Sequence, residues 1–308
     1  MRIGILGATS HIAKDLIASF SAKNDHELVL FARRPQIVGQ WLARIGMVGR
    51  YSVSAIDSFG PEERFDAILN FVGVGNPAQA NALGSAIFDV TLQYDGLALE
   101  YVRRHPACRY VFMSSGAAYG SSFDEPASDA TKALVALNGL RSQDWYGVAK
   151  LHAECRHRSL SALPIVDLRI FNYFSHTQDI SARFLVSDAL RAIKSGEVLI
   201  TSRDNIMRDY LGPNDFHQLV SLVLAGEPAN DVVDCYTLAP IDKSSLLTAL
   251  KDRFGLAYEV LDAPAGIDVT GLKRNYYSNN RKAATLGYVP TKTSLENILD
   301  ETEMAVRQ

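Results

Sequence analysis

The stretch IGILGATSHIA, residues 3–13, decides the predicted fold. Its first four residues suit a short buried strand, the chain turns at Gly7, and the residues that follow suit a helix. In a dinucleotide-binding βαβ unit, three glycines permit the turn, the approach of the pyrophosphate and the packing of helix on strand. Only the first of these glycines is kept here, because Ser10 and Ala13 occupy the other two places.

The position of this loop favours a ligand site. The reduced glycine pattern also fits an ordinary strand-to-helix turn, but the loop lies at the first such junction of the chain, where the free amides of a helix start can bind a diphosphate. We therefore expect a dinucleotide cofactor here. The predicted contacts in the loop are Gly7, Thr9, Ser10, His11 and Ile12.

Short apolar runs alternate with helical patterns through the first half of the chain. The predicted strands are residues 3–6, 28–32, 51–55, 67–72, 110–113 and 165–171. They are nearly continuous in apolar residues, as expected for strands that helices cover on both faces. A helical pattern over 86–101 is one of the segments between them. The sequence therefore predicts an α/β fold with a doubly wound parallel sheet of the Rossmann type.

The alternation ends after residue 172, where a second set of elements begins. We predict a helix over 182–194 and a strand over 198–201, and we expect residues 235–238 to return to the main sheet as a further strand. The predicted domains are thus a dinucleotide-binding Rossmann domain, formed by 1–172 with about 204–238, and a smaller, discontinuous substrate-binding domain, formed by 173–203 and 239–308.

Composition narrows the classes of partner. The 308 residues are 47% hydrophobic and 21% charged, which suits a folded protein, and the formal charge of −3 provides no positive field for nucleic acid or an anionic membrane. No apolar run reaches the ~18 residues of a membrane span, and no signal-peptide pattern follows Met1, so we expect a cytoplasmic location. The three dispersed cysteines suggest neither disulfides nor a metal site.

Two arginines follow the second predicted strand. A cofactor with a free 2′-hydroxyl calls for an acidic residue there, whereas Arg33 and Arg34 can pair with a 2′-phosphate through charge-assisted bonds. This position therefore favours NADP, with NAD as the alternative. Ordinary solvated surface charge is the competing interpretation.

A serine turn and a later helix supply candidate catalytic groups. Tyr146 and Lys150 are four residues apart, so on a helix they share one face, where an ammonium group favours ionisation of the phenol. Such a pair can exchange a proton with an alcohol or a carbonyl. A nearby serine hydroxyl, that of Ser115, can hold the same substrate oxygen during hydride transfer.

These motifs together resemble the extended short-chain dehydrogenase/reductase family, in its nucleotide-sugar epimerase, dehydratase and reductase branch. The resemblance rests on the segments GATS (7–10), SSGAAYG (114–120), YGVAK (146–150), LRIFN (168–172), RDY (208–210) and RKA (281–283) with LGY (286–288). It implies that Ser115 and Tyr146 are catalytic and that Lys150 supports Tyr146 while binding the ribose. It also implies a homodimer formed through the helices over 86–101 and 146–160.

The resemblance implies further contacts with ligands. Asp57 would contact the adenine, and Phe71, Val72 and Gly73 would line the cofactor. Asn172 and Arg208 would lie near the diphosphate of a nucleotide-sugar substrate, although Arg208 could instead form a structural ion pair with Asp209 or Asp215.

We therefore expect an NADP-dependent oxidoreductase that reduces a keto group of a nucleotide-linked hexose. A nucleotide-sugar 4-epimerase with a retained NAD(P) is the closest alternative, and a non-catalytic dinucleotide sensor is the alternative from another class. The resemblance argues against a 4,6-dehydratase, because the places of its acid pair are taken by Gly116 and Ala117, which cannot transfer a proton.

Overall fold

A computed structural model describes residues 1–23, 26–74, 80, 82–182, 184–261 and 273–307. Its central feature is a seven-stranded parallel sheet in the order β11-β6-β5-β4-β1-β2-β3. The strands are β1 (Arg2–Leu6), β2 (Glu27–Ala32), β3 (Ser52–Ala55), β4 (Ala67–Asn70), β5 (Arg109–Ser115), β6 (Ile165–Ile170) and β11 (Asp231–Asp234). This confirms the predicted doubly wound sheet, with its order reversing between β1 and β4.

The main helices pack on this sheet and on the smaller sheets. They are α1 (His11–Lys23), α2 (Pro35–Arg44), α3 (Ala86–Arg104), α4 (Trp145–Ser159), α5 (Leu185–Ser195), α6 (Pro213–Ala225), α7 (Lys243–Phe254) and α8 (Ser294–Arg307). The helix predicted over 182–194 begins three residues later, and the one predicted over 86–101 continues to Arg104. Among the described residues, no helix is both long enough and apolar enough to cross a membrane.

The strands divide their side chains between two apolar cores. In β5, Val111 and Met113 join the core that contains α1 and α6, whereas Tyr110 and Phe112 join the core on the opposite face, under α3 and α4. Successive strand residues point to opposite faces of a sheet, so a continuous apolar run is needed when both faces are covered. The apolar runs of the sequence therefore have the predicted cause.

The strand predicted over 235–238 is wrong, because the strand that returns to the sheet is β11, at Asp231–Asp234. It pairs with β6 in a register that sets Asp231 opposite Val166 and Asp234 opposite Arg169. The sequence of this strand, DVVD, begins and ends with aspartate, so a search for apolar runs does not detect it. Cys235, where the prediction began, makes only a further backbone bond to the Arg169 carbonyl (2.9 Å).

A second group of elements gathers beside the carboxyl ends of the main strands. It contains short strands: β7 (Asn172–Tyr173) with β10 (Tyr210–Leu211), β9 (Met207–Arg208) with β12 (Ile241–Asp242) and β14 (Asn275–Tyr276), and β8 (Leu199–Ser202) with β13 (Tyr258–Leu261). Apolar side chains of α5, α7 and α8 form a separate cluster there, with Leu190, Leu247 and Ile298 among its buried members. The division of the chain into two domains stays a prediction.

A buried ionic cluster joins α3 and α4 to the sheet. His157 of α4 lies between two fully buried carboxylates, with Nε2 2.7 Å from Asp95 and Nδ1 2.6 Å from Asp167. Arg156 and Arg158 reach the same two carboxylates from the surface, at 2.7 and 2.9 Å. The two carboxylates raise the pKa of His157 to about 9 against the effect of burial, so the imidazole is charged at neutral pH.

This cluster predicts a pH-dependent contribution to stability. The pKa of His157 is higher in the folded than in the unfolded protein, so its contribution is complete below about pH 6.5 and is lost as pH rises through about 9. We expect His157→Gln to lower the free energy of unfolding by roughly 3 kcal/mol at pH 6 and by much less at pH 9.5. Urea unfolding at several pH values measures this. His152→Gln, at an exposed position of α4, is the control, and an equal loss at both pH values would contradict the prediction.

Candidate functional site

A large cavity lies at the carboxyl ends of β1, β4, β5 and β6. Its volume is about 1880 Å³, above the ~300–1,000 Å³ of a typical single-ligand pocket, so it has room for a cofactor and a substrate together. It opens where the strand order reverses, which is where ligands bind in sheets of this kind. Among the described residues, no group of three or more His, Cys, Asp or Glu side chains is arranged to hold a metal ion.

The glycine loop forms one wall of the cavity. Gly7 has φ +82°, and a Cβ there would lie 2.9 Å from the carbonyl carbon of Phe71 and from the amide of Val72. Only glycine suits this position, because its φ is positive and the neighbouring backbone is too close for a side chain. Gly7 thus lets the loop pack on the Phe71–Val72 backbone beside the start of α1, whose first amides have no acceptor within the helix. The other predicted contacts of the loop also line the cavity: Thr9, Ser10, His11, Ile12, Val72 and Gly73.

Positive side chains surround the end of β2. Arg33 and Arg34 are exposed and line the cavity, and sequence reasoning missed two further cations beside them, Lys14 of α1 and Arg44 of α2. Burial, and to a lesser extent the nearby Arg44, lower the pKa of Lys14. Asp57 lies in the short 3₁₀ turn Ile56–Ser58, is exposed, and does not line the cavity, although Ile56 does.

The three predicted catalytic residues converge on the cavity. Ser115 is the last residue of β5, and its Oγ accepts a hydrogen bond from the Ala117 amide (3.2 Å). Tyr146 lies in the first turn of α4, and Lys150 lies one turn later with its Nζ 5.9 Å from the centroid of the Tyr146 ring. All three side chains line the cavity.

Close packing of α4 on the serine turn makes this convergence possible. A Cβ at Gly147 would lie 2.5 Å from the Ala117 carbonyl oxygen, so only a glycine allows the helix to approach so near. Gly147 follows Tyr146 directly, and its contact therefore brings the phenol of Tyr146 to the turn that carries Ser115. This is the structural reason for glycine at the second place of the YGVAK segment.

Burial controls the ionisation of Lys150 and Tyr146. Lys150 is only 4% exposed, donates from Nζ to the Met113 carbonyl (2.6 Å), and has its pKa lowered by burial to about 8, although three carboxylates oppose that shift. Burial also raises the pKa of Tyr146, with a hydrogen bond from Ser115 acting in the other direction. The phenol therefore carries its proton at neutral pH, next to a largely protonated amine.

Tyr276 is a site residue that sequence reasoning missed. Its hydroxyl lies 3.1 Å from Ser115 Oγ, its ring packs against Phe123 and Phe171, and burial raises its pKa. No local pattern marks this tyrosine. It reaches the cavity because β14 pairs with β9, opposite Arg208.

Asn172 and Arg208, the two predicted substrate contacts, also line the cavity. Asn172 donates from Nδ2 to the Asp209 carbonyl (3.1 Å), and Arg208 donates to the Met207 carbonyl (2.9 Å) with its guanidinium 5.8 Å from the centroid of the Tyr276 ring. Asp209 accepts hydrogen bonds from Thr237 and Ser294. The structure thus brings together every predicted site residue except Asp57 around one cavity.

Comparison with known proteins identifies similar sequences and folds. The model of the NAD dependent epimerase/dehydratase family matches residues 3–235. A search of curated proteins found no match.

Several solved structures share the fold over the whole chain. The UDP-glucose 4-epimerase of Thermotoga maritima, solved with UDP-glucose, has a TM-score of 0.81 at 18% identity and covers 100% of this chain and 99% of its own. The dTDP-glucose 4,6-dehydratase of Bacillus anthracis, in complex with NAD, has a TM-score of 0.78 at 15% identity, with coverages of 100% and 97%. The UDP-glucuronic acid 4-epimerase of Bacillus cereus, with UDP-glucuronic acid and NAD, has a TM-score of 0.77 at 15% identity, with coverages of 100% and 99%.

The buried charge of Lys150 predicts a conflict between stability and function. Lys150→Met keeps the length of the side chain but removes a charge that burial disfavours, so we expect the free energy of unfolding at pH 7 to rise by about 1 to 2 kcal/mol. Because the pKa is about 8 in the folded protein and 10.5 unfolded, this gain should shrink as pH rises from 8 to 10.5.

Chemical denaturation at pH 7, 9 and 10.5 measures the effect. Lys251→Met, on the exposed side of α7, is the matched control and should change little at any pH. If Lys150→Met lowered stability at every pH, the view of Lys150 as a costly buried charge would be wrong.

Proposed function

Because the chain belongs to the NAD-dependent epimerase/dehydratase family, we propose that it is an NADP-dependent enzyme that reduces a keto group of a nucleotide-linked hexose. The family resemblance drawn from the sequence motifs is confirmed, and the chain is an enzyme of the extended short-chain dehydrogenase/reductase type that uses a nicotinamide dinucleotide. The identity of that dinucleotide, the direction of the reaction and the roles of the site residues are the proposal.

The convergence of Ser115, Tyr146 and Lys150 on one side of the cavity carries this proposal. When bound, the dinucleotide supplies the hydride. Tyr146, whose raised pKa keeps its proton in place, gives that proton to the carbonyl oxygen of the substrate. Ser115 Oγ donates a hydrogen bond to the same oxygen and holds it still.

Lys150 acts on Tyr146 and on the ribose of the cofactor. Its ammonium group stabilises the phenolate that forms when Tyr146 has released its proton, because an adjacent positive charge favours the ionised form. The hydrogen bond from its Nζ to the Met113 carbonyl fixes the amine at the edge of β5, where the ribose hydroxyls would meet it.

The residues around the glycine loop fit a dinucleotide. Gly7 packs against the backbone of Phe71 and Val72 and turns the chain into α1, whose free first amides suit the diphosphate. The four cations Lys14, Arg33, Arg34 and Arg44 suit a 2′-phosphate and therefore NADP. We propose that the adenine lies between this group and Asp57, with the backbone of Phe71, Val72 and Gly73 along the rest of the cofactor.

We propose that the remaining half of the cavity holds the nucleotide sugar. Arg208 and Asn172 lie there, and Arg208 offers its guanidinium to the diphosphate of the substrate. The solved relatives named above include epimerases with UDP-glucose and UDP-glucuronic acid. Residues 173–203 and 239–308 would then form the substrate-binding domain, over the Rossmann domain of 1–172 and about 204–238.

We also propose a homodimer formed through α3 and α4. On α3, Leu92 is 45% exposed and Phe88 is only partly buried. A helix pair with apolar side chains on its solvent side suits contact with a second copy.

A 4-epimerase with a retained cofactor is the second candidate, favoured by the epimerases among the solved structures of the same fold. The cations around the 2′-phosphate position favour the reductase, since selection of NADP suits an enzyme that draws on a reducing pool. The chain lacks the acid pair of a 4,6-dehydratase, because Gly116 and Ala117 stand in its places. A non-catalytic sensor would not need both Tyr146 and Lys150.

The arginines after β2 predict cofactor preference. We expect NADPH to bind more tightly than NADH, and Arg33→Gln with Arg34→Gln to remove most of the difference, because each charge-assisted bond of ~1.5–3 kcal/mol corresponds to roughly tenfold or more in affinity. Isothermal titration calorimetry with both cofactors measures it. Arg103→Gln, an exposed arginine of α3, should leave both affinities unchanged. Equal binding of NADPH and NADH by the unmodified protein would exclude the NADP assignment.

The two candidate reactions differ in the fate of the hydride. A nucleotide-linked 4-ketohexose is supplied with NADPH deuterated at the transferred position, and a reductase should give one deuterium at the carbinol carbon for each NADP⁺ released. Tyr146→Phe, which removes the transferable proton, should lower turnover by about 10²- to 10⁴-fold while cofactor affinity is kept. Interconversion of two sugar epimers without net consumption of NADPH would favour the epimerase. Near-full activity of Tyr146→Phe would exclude the proposed acid.

A further inference from the structure

Five polar residues form a connected set next to the cavity, which one of them, Ser114, lines. They are Ser114, Glu154, Arg169, Asp234 and Ser278, which we call the polar ring. Four of them are at most 4% exposed, and the side chain of Arg169 is 15% exposed. None of them has a role in the reaction proposed above.

The first half of the polar ring joins the catalytic helix to the serine strand. Glu154 lies one turn after Lys150 on α4, and its carboxylate accepts a hydrogen bond from Ser114 Oγ (2.5 Å). Arg169 of β6 donates to the same carboxylate from Nε (3.0 and 3.1 Å) and from Nη2 (2.5 Å). Ser114 immediately precedes Ser115, so this half fixes α4 and the end of β5 against each other.

The second half joins β6 to the segment that carries Tyr276. The Arg169 guanidinium lies 4.2 Å from the centroid of the Tyr119 ring and 3.5 Å from Asp234 Oδ1. Asp234, at the end of β11, accepts hydrogen bonds from the Tyr119 hydroxyl (2.9 Å) and from Ser278 Oγ (2.6 Å). Ser278 follows Tyr276 by two residues.

One hydrogen bond within the site connects the two halves of the polar ring. Ser115, next to Ser114, and Tyr276, two residues before Ser278, have their hydroxyl oxygens 3.1 Å apart. This contact involves the Ser115 hydroxyl that would hold the carbonyl oxygen. Tyr276 comes from a segment that is distant in sequence from Ser115. The pairing of β14 with β9, backbone hydrogen bonds to residues 123–127 and the Ser278–Asp234 contact hold this segment next to the site.

Net stability is a poor explanation for such an arrangement. A buried ion pair costs desolvation energy that its attraction roughly repays, and apolar residues of similar volume often serve as well or better. The polar ring is instead linked by directional hydrogen bonds, which fix the relative positions of the five chain segments that carry its members. An apolar contact would leave those segments free to slide.

We propose that Asp234 and Ser278 are positioning residues that act through Tyr276 to orient the Ser115 hydroxyl. This inference rests on the proposed function, in which Ser115 holds the carbonyl oxygen. Loss of the Ser278 hydroxyl removes the side-chain anchor of this segment on β11 and leaves its backbone hydrogen bonds to residues 123–127. The Tyr276 hydroxyl is then less firmly fixed at its 3.1 Å contact, and the Ser115 hydroxyl is less well directed. The proton-transfer geometry suffers while the cofactor half of the cavity is unchanged.

A double-mutant cycle on turnover tests this coupling. Ser278→Ala and Tyr276→Phe should each lower kcat for the keto sugar by about tenfold with NADPH affinity unchanged, and the double variant should be no slower than Tyr276→Phe alone. Ser294→Ala is the matched control, since Ser294 is also fully buried and donates to a buried aspartate, Asp209, at 2.8 Å. The fold reductions in kcat caused by Ser294→Ala and Tyr276→Phe should multiply in the double variant. If the reductions caused by Ser278→Ala and Tyr276→Phe also multiplied, the proposal would be overturned.

A second cycle needs no activity and separates this inference from the proposed function. The unfolding equilibrium constant is measured for Ser115→Ala, Tyr276→Phe and the double variant, first with Ser278 present and then in the Ser278→Ala background. The Ser115–Tyr276 hydrogen bond should give a coupling of about three- to tenfold with Ser278 and close to none without it. An undiminished coupling in the Ser278→Ala background would overturn the proposal. Absence of turnover in the unmodified protein would count against the proposed function alone.

Discussion

The structure around the site depends on keeping one ammonium group, that of Lys150, charged while it is almost completely buried. Its Nζ lies 4.3 Å from the centroid of the Phe112 ring and donates to the Met113 carbonyl, and Asp95, Asp167 and Glu154 hold its pKa near 8 against the effect of burial. A buried charge without such partners would be neutralised or would unfold the surrounding structure. The helix that carries Lys150 must therefore lie close to β5 and to these carboxylates.

The need to hold Lys150 near these partners explains why the face of α4 that packs on the sheet is polar. A helix that covers a parallel sheet ordinarily presents apolar residues to it, yet α4 buries Lys150, Glu154 and His157 on this side. Each finds a fixed partner: the Met113 carbonyl, the Arg169 guanidinium, and the pair of aspartates around His157. Directional contacts of this kind fix the rotation and height of the helix, and so they fix the place of Tyr146 at its first turn.

The sequence was sufficient for the sheet and for the groups next to the cofactor loop, because those depend on local patterns. Apolar runs indicate strands that are covered on both faces. Gly7 and the glycine of the YGVAK segment indicate places where two backbone segments pack closely together. Strand β11 was misplaced because Asp234 looks unsuitable for a buried strand until Tyr119, Ser278 and Arg169 are seen around it. Tyr276 was missed because the pairing that brings it to Ser115 is decided by distant parts of the chain.

The central claim is that this cavity places a nucleotide-linked keto sugar between the Ser115 and Tyr146 hydroxyls and a 2′-phosphorylated cofactor. A crystal structure of the Tyr146→Phe variant with NADPH and a nucleotide-linked 4-ketohexose measures this most directly. We expect Ser115 Oγ within hydrogen-bonding distance of the keto oxygen, Lys150 Nζ on the nicotinamide ribose, and the 2′-phosphate between Arg33 and Arg34. A sugar ring held away from Ser115, or a 2′-phosphate directed into solvent, would contradict the account.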